Sequence, residues 1–155
     1  AVLELLSRFG AEVRAETGGV FVRKSSLHGI DIDAGAIPDL IPAVAAVAAY
    51  AEGKTNITNA ARLRLKESDR LHTVAETIKS LGGQAKELPD GLVITGTPRL
   101  AGGTADSFGD HRIAMLAAVL AGGCREPVTV LGAQCTSKSY PEFWQTLDQL
   151  KGDSL

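Results

Sequence analysis

The spacing of apolar residues predicts a mixed α/β structure from the start of the chain. Apolar side chains recur on one face of a helix over residues 2–9, and Gly10 ends that helix. Segments 11–16 and 19–24 have the composition of two strands joined by a tight turn. Alternating Ile and Asp residues predict a third strand over 29–34. The first part of the chain is therefore expected to be a helix, a hairpin and a strand.

Two later segments are apolar on every side, which indicates buried helices. One begins at Pro38 and continues to about Tyr50, and the other spans His111–Ala121. An amphipathic helix is predicted from about Asp69 to Leu81, and a last helix over about 141–150. Further strands are predicted at residues 55–58, 84–88, 92–95, 104–107 and 127–131.

The same order of predicted elements occurs twice along the chain. Three residue pairs recur at a spacing of about 72 residues: Gly10 with Gly82, Gly19 with Gly91, and Lys66 with Lys138. This agreement predicts an internal duplication of an αβββαβ unit, which in rotated phase is βαβαββ. We expect unit boundaries of about 1–67 and 68–139, with 140–155 starting the last helix.

The chain begins inside the first predicted helix. It has neither an initiator Met nor the basic and apolar leader of a signal peptide. We therefore expect a piece of a longer protein.

Composition narrows the classes of function. Apolar residues make up 45% of the 155 residues and aromatic residues only 5%, so aliphatic side chains must build the core. No apolar run approaches the about 20 residues of a membrane span. A formal charge of −2 excludes a strongly basic nucleic-acid module. The two Cys and three His residues match no metal or redox spacing, so we expect neither kind of centre.

One basic segment departs from what helix formation favours. Arg70 falls in the first turn of a predicted helix, close to Lys66, where positive charge opposes the helix dipole. A bound anion would relieve this conflict and would also meet free backbone N–H groups. The alternative is solvated surface charge that Glu67 and Asp69 neutralise.

Other charged residues pose the same choice. Arg112 begins an otherwise apolar helix, where it must pair with an acid such as Asp110 or bind a carboxylate or phosphate. Lys138 lies in a polar turn at the repeat equivalent of Lys66, although a lone loop lysine is usually surface charge. Asp39, in another first helical turn, is either a capping residue or a base beside an anionic substrate.

Four cations and two carboxylates thus form the candidate site: Lys66, Arg70, Arg112, Lys138, Asp39 and Glu67. Such a set can bind a multiply anionic substrate and transfer protons. The sequence contains no Walker loop, dinucleotide fingerprint or nucleophile elbow.

Four motifs resemble those of the 5-enolpyruvylshikimate-3-phosphate synthase family, and the resemblance extends over essentially the whole chain. They are Ile37-Pro38-Asp39, Arg64-Leu65-Lys66-Glu67-Ser68-Asp69-Arg70-Leu71, Gly109-Asp110-His111-Arg112-Ile113-Ala114-Met115 and Lys138-Ser139-Tyr140-Pro141, in the family's order. The resemblance implies transfer of the enolpyruvyl group of phosphoenolpyruvate to the 5-hydroxyl of shikimate 3-phosphate, with release of phosphate. It implies no metal or organic cofactor.

The resemblance also implies an architecture and a location. The family's lobes are built from βαβαββ units in an inside-out α/β barrel, and its substrates bind between two lobes. This chain would supply part of the C-terminal lobe, with the N-terminal lobe as its partner. The family works in the cytoplasm, and the resemblance implies neither a nucleic acid nor a membrane as partner.

The resemblance assigns a role to each candidate residue. Asp39 would contact the shikimate hydroxyls and act as a base, and Glu67 would give and take the proton at the methylene carbon. Lys66 would contact shikimate 3-phosphate near the reacting centre. The remaining cations would hold phosphoenolpyruvate: Arg70, Arg112 and Lys138.

Two other interpretations remain open. UDP-N-acetylglucosamine enolpyruvyl transferases share the architecture, although the Lys-Glu-Ser-Asp-Arg and Asp-His-Arg motifs favour the shikimate enzyme. The other interpretation is a non-catalytic module that binds anions. Because catalysis needs groups on both sides of the substrate, we predict that this chain alone is inactive. Arg62 stands where relatives often place a substrate-contacting polar residue, and we assign it no role.

Overall fold

A computed structural model of the chain describes residues 2–151; Ala1 and residues 152–155 lie outside the described part. The helices lie where the apolar spacing predicts them. Their bounds are α1 (Val2–Arg8), α2 (Ile41–Ala48), α3 (Arg70–Ser80), α4 (His111–Ala121) and α5 (Phe143–Lys151).

The helix predicted from Pro38 differs at its start. Residues Pro38–Leu40 form a 3₁₀ turn, and the α-helix begins only at Ile41. A continuous α-helix from Pro38 would place Pro42 in its interior, where it has no N–H to donate to the preceding turn. Starting at Ile41 places Pro42 in the first turn, which tolerates proline.

Two further 3₁₀ helices were not predicted, Ala61–Leu65 and Ala133–Lys138. Each makes about two turns at most, which is too short for hydrophobic periodicity to be visible in a sequence. Both precede or contain candidate site residues, so their position matters for the site.

The strands also lie close to their predicted places, and β3 is shorter than predicted. Their bounds are β1 (Glu12–Glu16), β2 (Gly19–Arg23), β3 (Asp31–Asp33), β4 (Lys54–Thr58), β5 (Gln84–Leu88), β6 (Gly91–Thr95), β7 (Gly103–Asp106) and β8 (Val128–Leu131).

The largest sheet has the strand order β3-β4-β6-β5. β3 and β4 are parallel with α2 connecting them, whereas β6 is antiparallel to both β4 and β5. In chain order this sheet and its helices form β3-α2-β4-α3-β5-β6, a βαβαββ arrangement. β1 pairs with β2 in an antiparallel hairpin, and β7 pairs with β8 in parallel.

The order helix, hairpin, strand, helix, strand and 3₁₀ helix occurs twice between α1 and Lys138. The duplication and its boundaries, 1–67 and 68–139, remain predictions. The last predicted segment, 140–155, extends beyond the described part at residues 152–155.

The core lies between the large sheet and three helices. α2 packs on α4, and α4 packs on α3. Ile57 of β4, Leu71 of α3 and Ile113 of α4 are fully buried in this core. The two helices predicted to be apolar on every side are buried over most of their surface, but Val119 of α4 is an exposed exception.

Residues 2–151 contain no helix that is long and apolar enough to cross a membrane. The same residues contain no group of three or more His, Cys, Asp or Glu side chains arranged to hold a metal ion.

Candidate active site

The six residues selected from the sequence lie in one cluster, where the starts of α2, α3 and α4 meet. Each sits at or just outside the end of a short helical element. They are Asp39 in the 3₁₀ turn before α2, Lys66 and Glu67 after the 3₁₀ helix Ala61–Leu65, Arg70 and Arg112 in the first turns of α3 and α4, and Lys138 at the end of the 3₁₀ helix Ala133–Lys138.

Arg70 is the centre of the cluster. Its side chain is only 1% exposed, and its guanidinium contacts three carboxylates. Nε and Nη2 lie 2.8 and 3.1 Å from the two carboxylate oxygens of Asp110. Nη2 also lies 2.6 Å from Oε2 of Glu67, and Nη1 lies 3.2 Å from Oδ1 of Asp39. The conflict between this cation and the helix dipole is therefore resolved by the protein's own acids.

The acids that surround Arg70 differ from those the sequence suggested. Glu67 neutralises it as expected, but Asp69 does not contact it in the described hydrogen bonds. Asp69 instead caps α3, accepting a hydrogen bond from the backbone N–H of His72 at 3.2 Å, and pairs with Arg64. An N-cap carboxylate must turn towards its own helix, which directs it away from the Arg70 side chain.

Asp110 is the main acid partner of Arg70, a pairing that the sequence analysis did not predict. It is 0% exposed, and it caps α4 by accepting the backbone N–H of Arg112 at 2.9 Å. Ser68 donates a further hydrogen bond to it at 3.0 Å. Burial raises the pKa of Asp110, but the hydrogen bonds from Arg70, Arg112 and Ser68 outweigh burial and lower the pKa below its usual range. The sequence offered no signal for this pairing, because the burial of Arg70, which requires an acid from another element, is visible only in the structure.

Arg112 does not form the side-chain ion pair with Asp110 that the sequence offered as one alternative. Its Nη1 donates instead to the backbone carbonyl oxygen of Asp39 at 2.9 Å. The remaining donors of its guanidinium fork stay available for a planar anion. Arg112 therefore links the starts of α2 and α4 beside Asp39.

Asp39 and Lys66 form an ion pair at the edge of the cluster. Nζ of Lys66 lies 3.0 Å from Oδ1 of Asp39. The hydrogen bond from Lys66 lowers the pKa of Asp39 against an opposing effect of burial, and the charges of Arg112 and Arg70 lower it further. Asp39 is therefore ionised at neutral pH, the state that a general base requires.

Glu67 lies between two cations. Besides the contact with Arg70, its Oε1 lies 3.7 Å from Nζ of Lys138. A hydrogen bond from its own backbone N–H lowers the pKa of Glu67, burial and Asp110 oppose this, and the charges of Arg70 and Lys138 support it. Glu67 is therefore also ionised in this state of the molecule.

The cluster is open to solvent on one side. The side chains of Asp39 and Lys138 are more than half exposed, while Arg70 and Asp110 form its buried base. Lys66, Arg112 and Lys138 can therefore meet an anion from solvent, and Asp39 and Glu67 lie beside it. This arrangement can hold an anionic ligand and accept or donate protons next to it.

A family model and curated relatives match nearly the whole chain. A family model described as EPSP synthase (3-phosphoshikimate 1-carboxyvinyltransferase) matches residues 1–147. A Clostridium acetobutylicum protein named 3-phosphoshikimate 1-carboxyvinyltransferase is 48% identical over 152 residues, covering 98% of this chain and 35% of the relative. A Clostridium novyi protein of the same name is 41% identical, with the same coverage. The chain thus spans about a third of the length of these curated relatives.

Solved structures show the same fold. The chain is similar to EPSP synthase from Acinetobacter baumannii with a TM-score of 0.83 and 33% identity, covering 96% of this chain and 38% of that one. The enolpyruvyl transferase NikO from Streptomyces tendae aligns with a TM-score of 0.78 at 22% identity, covering 97% and 34%, which is a likeness of fold alone. These likenesses confirm the α/β class and the enolpyruvyl transferase fold expected from the sequence.

Proposed function

Because the chain belongs to the EPSP synthase family, we propose that it supplies part of the active site of a 3-phosphoshikimate 1-carboxyvinyltransferase. The reaction moves the enolpyruvyl group of phosphoenolpyruvate to the 5-hydroxyl of shikimate 3-phosphate and releases inorganic phosphate. The observation that carries the proposal is the cluster itself, in which Asp39 and Glu67 both contact the buried Arg70 and pair with Lys66 and Lys138 respectively. Both substrates are multiply anionic, and the reaction needs three proton transfers: from the hydroxyl, to the methylene carbon and from the resulting methyl group.

The two carboxylates carry out these proton transfers. Asp39 accepts the proton of the 5-hydroxyl while the hydroxyl oxygen forms a bond to the central carbon of phosphoenolpyruvate. Glu67 gives a proton to the methylene carbon, so that a tetrahedral intermediate with a methyl group forms. In the second step the bond to the phosphate oxygen breaks, phosphate leaves, and Glu67 takes a methyl proton back. The lowered pKa of Asp39 keeps its carboxylate ionised and therefore able to accept a proton.

Glu67 must be protonated before it can act as an acid, and ligand binding supplies a reason. In the free protein Arg70 and Lys138 help to keep Glu67 ionised. If phosphoenolpyruvate binds Arg70 and Lys138, the negative charges of phosphoenolpyruvate replace the Glu67 carboxylate as the partners of these two cations. The pKa of Glu67 then rises, which favours the protonated form at the moment when substrate is bound.

The cations divide between the two substrates. Lys66 lies against Asp39 and would contact shikimate 3-phosphate there. Arg112, Arg70 and Lys138 would hold the carboxylate and phosphate of phosphoenolpyruvate. Asp110 fixes the guanidinium of Arg70 in a single orientation, since both carboxylate oxygens bind it. The proposed chemistry requires no metal ion or organic cofactor.

The proposal includes a partner. The chain spans 35% of the length of its curated relatives, and the open side of the cluster would face the N-terminal lobe of the same enzyme. We expect the complete enzyme to work in the cytoplasm. The chain alone is expected to be inactive, because groups on both sides of the substrates must be held in place for the transition state.

The test is a complementation assay. The chain is mixed with a separately produced polypeptide that covers the part of the Clostridium acetobutylicum relative it does not match. Phosphate release from phosphoenolpyruvate is then measured with shikimate 3-phosphate or with UDP-N-acetylglucosamine as acceptor. We expect release with shikimate 3-phosphate only, and none from either polypeptide alone.

Glu67→Gln is the decisive variant in this assay. It should abolish turnover, because the amide carries no transferable proton, while binding of phosphoenolpyruvate to the mixture remains. Glu76→Gln, in an exposed ion pair on α3, is the matched control and should keep full activity. Turnover by Glu67→Gln would remove Glu67 from the mechanism, and release with the other acceptor would overturn the proposed substrate.

A further inference from the structure

A second arginine, Arg64, makes a dense set of contacts outside the cluster. Its Nη1 lies 2.7 Å from Oδ2 of Asp69 and 2.7 Å from Oε1 of Glu87. Its Nη2 donates to the carbonyl oxygen of Leu88 at 2.8 Å, and its Nε donates to that of Pro89 at 3.1 Å. One guanidinium therefore joins the N-cap of α3 to the turn between β5 and β6. We call these contacts the Arg64 bridge.

The Arg64 bridge spans the segment that carries two of the proposed site residues. Lys66 and Glu67 lie between Arg64 and Asp69 in the chain. The hydrogen bond from Arg64 to Asp69 therefore closes a small loop that contains Lys66 and Glu67. The turn after β5 also contacts the start of the 3₁₀ helix Ala61–Leu65, which precedes this segment. The backbone N–H of Ala61 donates to the carboxylate of Asp90, and that of Ala60 donates to its carbonyl oxygen at 3.2 Å.

Hydrophobic packing anchors the chain before this segment, at Leu63, but does little to hold the residues that follow Arg64. The side chain of Leu65, between Arg64 and Lys66, is 87% exposed. At the far end of the segment Ser68 bonds to Asp110 and Thr73, which fixes its junction with α3. At the near end Leu63 is buried in the core, and the polar contacts of Arg64 tie the next residue to strand β5.

We propose that Arg64 is a positioning residue, which holds Lys66 and Glu67 at the cluster by binding Asp69 and the β5–β6 turn. It does not contact substrate; its side chain points to the hairpin. Glu87 helps to hold Arg64 in place: one of its carboxylate oxygens binds Arg64, and the other lies 3.2 Å from Nδ1 of His72. This inference rests on the proposed function, because positioning matters only if Glu67 transfers a proton.

Arginine is required by geometry as well as by charge. Four acceptors from two separate elements share one planar fork, whereas the single nitrogen of lysine cannot reach all of them. Small displacements of a proton-transferring group are costly, since about 1 Å of misplacement can reduce a rate about 100-fold. Loss of the Arg64 bridge should therefore reduce kcat more than it changes KM.

The experiment uses Arg64→Lys and Glu87→Ala in the whole chain, with Glu87→Gln as the conservative variant and Glu76→Gln as the control. Hydrogen exchange of residues 65–69 is measured in the chain by itself, and kcat and KM in the complementation assay. We expect faster exchange over residues 65–69, unchanged exchange in β6, and a kcat about 10- to 100-fold lower for the first two variants. Glu87→Gln keeps an oxygen acceptor and should retain most of the kcat.

The outcomes separate this inference from the proposed function. Unchanged exchange over residues 65–69, or faster exchange with unchanged kcat, would overturn the positioning role. An equal increase in exchange throughout the chain, with Glu87→Gln as damaging as Glu87→Ala, would mean that Arg64 only stabilises the fold. If the unaltered chain gives no phosphate release when complemented, the proposed function fails, and exchange alone then decides whether Arg64 orders the segment.

Discussion

At the scale of single residues, the buried pair of Arg70 and Asp110 determines the shape of the site. A guanidinium that is 1% exposed is stable only with a well-placed acid, and Asp110 provides both oxygens to it. The same carboxylate caps α4 and accepts a hydrogen bond from the hydroxyl of Ser68. One buried side chain therefore sets the relative position of two helix starts and of the segment before α3.

Asp110→Asn is expected to destabilise the chain by about 3 kcal/mol. This is the low end of the cost of breaking a buried ion pair, because Glu67 and Asp39 still contact Arg70. Urea denaturation followed by circular dichroism measures the change. Glu76→Gln removes an exposed ion pair and should stay within about 0.5 kcal/mol; equal effects of the two variants would contradict the assignment.

The same acids predict how stability changes with pH. The pKa values of Asp39, Glu67, Glu87 and Asp110 are all lower in the folded chain than in model peptides. Lowered pKa values add stability that is complete above the unfolded values, about 4, and is lost as pH falls through the folded values. The urea midpoint should therefore fall on acidification below about pH 5, and less steeply in Asp110→Asn. A urea midpoint that rises on acidification below about pH 5 would contradict this prediction.

At the scale of elements, the hairpin of β5 and β6 is the rigid support of the site. β6 pairs with β4 along one side, and the turn before it binds Arg64 and the start of the 3₁₀ helix Ala61–Leu65. Gly91 allows this close approach. A Cβ added to it would lie 2.1 Å from the carbonyl oxygen of Ile57 in β4, which cannot move without disturbing the pairing of the two strands.

Gly91→Ala should therefore destabilise the chain by about 2 kcal/mol, within the usual cost of overpacking. Gly19 is its predicted repeat equivalent and provides a matched control. A Cβ at Gly19 meets nothing within 4 Å, so Gly19→Ala should leave stability unchanged or slightly higher. Thermal unfolding of both variants tests the difference, and similar losses of stability would show that the close approach at Gly91 is unimportant.

At the scale of the whole molecule, six of the eight strands in the described part of the chain have a neighbour on one side only, all except β4 and β6. Two of these edge strands, β2 and β8, also carry exposed apolar side chains. β2 pairs with β1 and β8 pairs with β7, so each leaves an edge with unpaired backbone groups. Apolar side chains accompany these edges: Val20 and Val22 in β2, and Leu131 in β8, are exposed. Such edges favour pairing with another chain.

We expect this chain to self-associate as its concentration rises, in sedimentation velocity experiments. Val22→Lys should reduce the association, because a charge on an edge strand disfavours pairing. Leu150→Lys replaces another exposed apolar residue, on α5, and serves as the control. A chain that stays monomeric at all concentrations, or equal effects of both variants, would rule out association through the β2 edge.

The local elements of this protein were predictable from the sequence alone. The periodicity of apolar residues located each α-helix and strand, since a helix or strand buries one face and that face repeats along the chain. The helix that starts at Ile41 instead of Pro38 shows the limit of this argument, because the exact start depended on Pro42. The candidate residues came from charges that local structure could not explain, such as Arg70 in a first helical turn.

Only the tertiary structure decided how those residues are paired. Arg70 binds Asp110 from 40 residues further along the chain, and Arg112 reaches back to the carbonyl of Asp39 across 73 residues. The Arg64 bridge likewise joins segments that are 23 residues apart. Periodicity reports which face of an element is buried, whereas the partner of a side chain depends on how the elements pack. That packing is a property of the whole fold, so the pairing of the charges could not be deduced from their spacing.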